Sequence, residues 1–198
     1  NTALGANSGL QNTTGAYNTA LGTDSFRDNT TGDFNVALGR AALQSNTTAD
    51  SNIAIGRNAM YSNTTGTRNL AIGALAYDAS DTENDNMAIG FNAMTTNTAG
   101  GQYNVAVGNY AMDALTSGDN NTAVGHQALT AATTGISNTA FGHTALASTQ
   151  TGGYNTAVGY EALNQNLAAN NTAVGTYALK DNTTGTNNTG LGFQAMHN

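Results

Sequence analysis

An Asn at one fixed position, followed four residues later by a Gly, recurs twelve times along the chain, and this repeat constrains the fold more than any other feature. Units begin at Asn1, Asn18, Asn35, Asn52, Asn69, Asn86, Asn104, Asn121, Asn138, Asn155, Asn171 and Asn188, so residues 1–198 read as a single repeat domain. The period is 17 residues, with one unit of 18 and one of 16. Its consensus is N-[T/apolar]-A-[L/I/V]-G-x-x-A-[L/M]-x-x-N-T-T-G-x-x. Ala fills the third position in eleven units, and only Gly190 departs, toward a still smaller side chain. The segment opens and closes inside a repeat, so it is expected to be a piece of a longer fibrous protein.

A 17-residue unit is too short for the helix pairs of helical solenoids, and a Gly at a fixed place in every unit disfavours helix. A short strand over "NTAVG", a second extended or turning segment over "xxAL", and a turn at "NTTG" fit the length and the chemistry. The expected fold is all-β: a parallel β-solenoid, or β-roll, of about twelve coils stacked at strand spacing. Alternation within the strand puts Asn155, Ala157 and Gly159 on one face and Thr156 and Val158 on the other. The small face suits a narrow interior, with Ala162 and Leu163 forming a second wall. The other face carries one column of larger side chains: Leu4, Leu21, Leu38, Ile55, Ile72, Ile89, Val107, Val124, Phe141, Val158, Val174 and Leu191. From Val36 to Val105 the second position is apolar as well (Val36, Ile53, Leu70, Met87, Val105). Such a stripe on a lone coil exceeds what monomers leave exposed, which predicts side-by-side self-association. The inverse assignment, with the branched residues inside, allows a monomer.

Composition narrows the function. Acidic residues outnumber basic ones twelve to five and no Lys or Arg cluster exists, which excludes nucleic acid as a partner. There is no Cys, no apolar run long enough to span a bilayer and no leading signal segment, so neither a thiolate metal site nor membrane insertion is expected. His126 and His143 follow the repeat Gly one coil apart, in a column that also holds Arg40, Arg57, Tyr160 and Phe193 and no carboxylate. They read as solvated side chains, and no metal or other cofactor is expected. "DASDTEND" gathers Asp78, Asp81, Glu83 and Asp85; Asp81, Glu83 and Asp85 are a weak Ca²⁺ candidate without the usual turn Gly, and a solvated loop is the expected alternative. No His and acid recur beside any Ser or Thr, which argues against an enzyme. Aromatic residues close several units (Tyr17, Phe34, Tyr103, Tyr154) or follow the Gly (Phe91, Tyr160, Phe193), where they are expected to pack on a neighbouring chain or meet sugar rings. Asn12, Asn29, Asn46, Asn63 and Asn182 match the N-x-[S/T] glycosylation signature in the proposed exposed turn.

The units of the form N-T-A-V-G-x-x-A-L with an N-T-T-G turn, and cores such as Ala54-Ile55-Gly56 and Ala88-Ile89-Gly90 followed by Ala59 and Ala93, resemble the head repeats of YadA-like trimeric autotransporter adhesins and related tail-fibre and appendage repeats. The resemblance covers the whole segment and implies three left-handed rolls side by side, with the apolar column at the trimer axis. The family's units are shorter, so the extra residues here enlarge the turn. A weaker likeness is to the N-x-V-x-G coil of plant β-roll antifreeze proteins, with Ala in place of the Val. The expected function is therefore a non-enzymatic fibre segment, extracellular, at a cell surface or on a virion, whose partners are copies of itself and a cell-surface glycan or receptor. The alternative is a monomeric solenoid that binds glycan or ice.

Overall fold

The structure, a computed structural model, describes residues 1–97 and 99–197. It has twelve strands of three residues: β1 (Thr2–Leu4), β2 (Thr19–Leu21), β3 (Val36–Leu38), β4 (Ile53–Ile55), β5 (Leu70–Ile72), β6 (Met87–Ile89), β7 (Val105–Val107), β8 (Thr122–Val124), β9 (Thr139–Phe141), β10 (Thr156–Val158), β11 (Thr172–Val174) and β12 (Thr189–Leu191). They form one parallel sheet in sequence order, each strand bonded only to its neighbours in the chain. Each repeat is thus one coil of a parallel β-solenoid about 53 Å long at the usual strand spacing.

Every strand pairs with its equivalent in the next unit, so like lies on like: Ala157 on Ala140 and Ala173, Val158 on Phe141 and Val174. The irregular units do not disturb this register. The 18-residue unit places its extra residue, Gly100, in the turn at φ +101 with open space around it, and the 16-residue unit shortens the same turn. The pairs Met87↔Val105 and Thr156↔Thr172 stay aligned.

The first, third, eighth, ninth and twelfth positions point inward. The Ala column of the sheet is buried from Ala20 to Ala173, opposite Ala162 and Leu163 and their equivalents. Gly159 lies at φ +137, and a Cβ there would stand 2.6 Å from the carbonyl of Gly175 in the next coil. Bulk is excluded at that position by the adjacent backbone as well as by the conformation.

The second wall is not a strand. In each coil the seventh and ninth positions, such as Glu161 and Leu163, take left-handed φ values, and so does the last position, such as Tyr154. Successive peptide planes are flipped by this alternation. Gly22 and Asp24 donate their N–H to Leu4 and Ala6 of the preceding coil, whereas Phe26 and Asp28 donate to Ala42 and Gln44 of the following one. The backbone is therefore bonded from coil to coil without adopting extended geometry.

Candidate interaction surfaces

The inner faces hold the polar side chains that the sequence pattern left undetermined. Each Asn at the first position accepts the backbone N–H of the next one on its Oδ1: Asn121 Oδ1 from Asn138 at 3.0 Å, Asn138 Oδ1 from Asn155 at 3.0 Å, Asn155 Oδ1 from Asn171 at 2.9 Å. Their Nδ2 groups reach across the coil to the turn carbonyls, Asn138 to Gly152 at 2.8 Å and Asn171 to Gly185 at 2.7 Å. The ladder is thus mainly side chain to backbone.

A second ladder corrects the reading of the "NTT" turns. Asn29, Asn46 and Asn63 are fully buried, and the end-coil residues Asn12 and Asn182 are half-buried. Asn46 Nδ2 donates to Asn29 Oδ1 (2.9 Å) and to the Ala49 carbonyl (3.2 Å); Asn182 Nδ2 donates to Asn166 Oδ1 (3.0 Å) and to Gly185 (2.9 Å). These nitrogens bond inside the coil, because the turn carbonyls need a donor there. The Asn of each acceptor sequence thus turns into the coil, while Thr14, Thr31, Thr48, Thr65 and Thr184 of the same turns lie at the surface.

The acidic segment of the fifth unit is corrected as well. Glu83 turns inward, 2% exposed, and its carboxylate accepts the backbone N–H groups of Asp81, Thr82 and Gly100 at 2.9–3.1 Å. Asp85 forms a bidentate pair with Arg68, which holds its carboxyl below the usual range, and Asp81 accepts the Thr64 hydroxyl. The three carboxylates thus serve separate partners, and no group of three metal-ligating side chains occurs among the described residues. Next to them Tyr77 is fully buried; its hydroxyl accepts Asn86 Nδ2 at 2.6 Å and Asn97 Nδ2 at 3.2 Å, and burial pushes its pKa up.

The outward face of the sheet carries the second and fourth positions. Leu38, Ile55, Ile72, Ile89, Val107, Val124, Val158 and Val174 are half-buried, while Leu4, Leu21, Phe141 and Leu191 are exposed. This bears out the face assignment for Asn and Ala inside and the branched column outside; the repeat Gly is instead half-buried in most coils and faces the backbone of the next coil. From β3 to β7 both outward positions are apolar; from β8 to β12 the second is Thr.

Two rims flank this face. Before the strands lie Tyr17 and Phe34, stacked at 4.8 Å, and the exposed Tyr103 and Tyr154. After them runs a row of rings through seven coils: Phe91, Tyr110, His126, His143, Tyr160, Tyr177 and Phe193, at centroid separations of 5.2–6.3 Å. Tyr110 and Tyr177 occupy the seventh position, one residue past the predicted column. They join it by leaning over from the neighbouring position, which period alone does not show. Lys180 closes this end, bonded to Glu161 at 2.6 Å and 4.9 Å from the Tyr177 ring centroid. Lys180 and Tyr160 hold the Glu161 carboxyl below its ordinary pKa, and the same carboxylate raises that of Tyr160. Arg40 and Arg57 are exposed in the same column nearer the N-terminus. Neither protein-family models nor the sequences and solved structures of known proteins give a match to this chain.

Proposed function

We propose that the chain is a non-enzymatic structural rod that associates side by side with copies of itself through the outward face of its sheet, as a segment of an extracellular or virion fibre. The observation that carries this reading is the unbroken outward column from Leu4 to Leu191, doubled by Val36, Ile53, Leu70, Met87 and Val105. A strip about 53 Å long and roughly 16 Å wide, from the second to the sixth position, offers roughly 800 Å², what one partner contributes to a standard stable interface. Three copies, as in the adhesin heads that the repeat resembles, bring this column to a common axis. A structural role is also supported by where the charges go: Arg68 to Asp85, Lys180 to Glu161, Arg27 to Asp28, and Glu83 to backbone amides. Sedimentation equilibrium of the purified chain tests the reading. Three times the chain mass is expected for the wild type, and a monomer with unchanged circular dichroism for Ile72→Asp; a monomeric wild type rejects it.

One observation favours a second reading, a binding module for glycan or ice. Thr122, Thr139, Thr156, Thr172 and Thr189 lie in register, and their hydroxyls make no bond among the described residues. The turn residues Thr116 and Thr133, by contrast, donate to the next coil. Thermal hysteresis, or retention on sugar arrays that Thr156→Val abolishes, would favour this reading.

A further inference from the structure

His126 and His143 occupy equivalent positions of adjacent coils on the rim of the sheet, both exposed, with rings 5.2 Å apart and 11° from parallel. Thr144 fixes the tautomer of one of them. Its hydroxyl carries a single hydrogen, which it donates to the His143 carbonyl at 2.8 Å. Its contact with His143 Nδ1 at 3.1 Å must therefore be one in which Nδ1 carries the hydrogen and Thr144 Oγ1 accepts. In neutral His143 the basic lone pair is consequently left on Nε2, the arrangement in which metal-ligating imidazoles are held by a partner on the other nitrogen. The His126 ring touches only the rings of Tyr110 and His143 and makes no hydrogen bond among the described residues, while the His126 carbonyl accepts the Thr144 N–H at 3.0 Å.

We infer that His126 and His143 form a two-imidazole site for a divalent transition ion of the Zn²⁺, Ni²⁺ or Cu²⁺ type. Imidazole suits these ions, and the coil repeat supplies two on one edge. Zn–N bonds of about 2.0–2.1 Å let one ion span about 4 Å between two nitrogens, so the parallel rings must tilt toward each other. Their exposure permits those side-chain rotations. Glu161, one coil beyond His143, adds negative potential, but its carboxylate is committed to Lys180 and Tyr160. No third protein ligand completes the set among the described residues, so water fills the remaining positions and exchanges freely.

Zinc, nickel and copper salts titrated separately into the whole chain, at mildly alkaline pH in a non-coordinating buffer, test this by calorimetry. One ion per chain is expected to bind saturably. Binding should disappear in both His126→Ala and His143→Ala, and should weaken about tenfold in Thr144→Val, the cost typical of a lost outer partner. Circular dichroism of each variant should match the wild type, since all three side chains lie outside the core. With Cu²⁺, electron paramagnetic resonance should report two imidazole nitrogens. Binding that survives in both His variants would place the ion elsewhere and overturn the proposal. So would loss in only one of them, a single coordinated nitrogen, or no saturable binding at all.

Discussion

At the scale of single residues, the least regular coil is the most informative. Its neighbours place Asn at the twelfth position, so that each Asn Oδ1 meets the amide of the next, whereas the fifth unit has Ser80. Asn63 Oδ1 is consequently buried without a partner. Tyr77 takes the place of Leu and fills the space, offering its hydroxyl to Asn86 and Asn97 instead. Removing that hydroxyl in Tyr77→Phe is expected to lower stability by about 1 kcal/mol, because both amides keep another acceptor at Gly101. Restoring the repeat with Tyr77→Leu and Ser80→Asn together is expected to raise it by about 1 kcal/mol, since the Asn63 carbonyl gains a donor. Urea denaturation curves compare the three proteins. A double variant weaker than Tyr77→Phe would show that the ladder does not set the preference.

At the scale of elements, the strand was legible from the sequence and the wall opposite it was not. Alternation in "NTAVG" separates inner Asn and Ala from outer Thr and Val, as found, although the Gly faces the next coil's backbone and only three residues of each stretch pair as strand. The left-handed ninth position left a fainter trace. It holds Gly once and otherwise Leu, Met, Phe and Tyr but never Val or Ile, and among the 34 described non-Gly residues with positive φ, Thr144 is the sole β-branched one. A side chain branched at Cβ crowds the carbonyl in that conformation, while Leu and Met keep their branches further out. The buried turn Asn was missed for a related reason: Asn-Thr-Thr-Gly is equally good chemistry for an exposed turn, and only the stacking of coils decides where its amide points. Leu129→Ile is thus expected to cost about 2 kcal/mol, from backbone strain of about 1–2 kcal/mol plus repacking, whereas Leu129→Met, which keeps Cβ unbranched, should cost less than 1 kcal/mol. Equal losses in chemical denaturation would remove backbone handedness as the cause.

At the scale of the whole molecule, the period announced a solenoid because a unit of 17 residues cannot bury its own apolar face, and the register of twelve strands follows from stacking like on like. The row of rings from Phe91 to Phe193 belongs to this scale as well, since Tyr110 and Tyr177 enter it from a different sequence position. Where each coil touches only its neighbours, whole coils should be removable and partial ones should not. Deleting residues 121–137 joins Asn120 to Asn138 and sets Val107 of β7 on Phe141 of β9, with every inner column intact. This chain is expected to fold and to unfold with a denaturant slope lower by about one twelfth, in proportion to the surface it no longer buries. Deleting residues 121–129 instead removes the strand and the second wall of that coil and leaves a turn with nothing to close. Its solenoid should break there, which limited proteolysis would read as two resistant fragments meeting near Asn138. If the full-coil deletion proved as protease-sensitive as the partial one, stability would have to reside in a particular coil and not in the contact between neighbours.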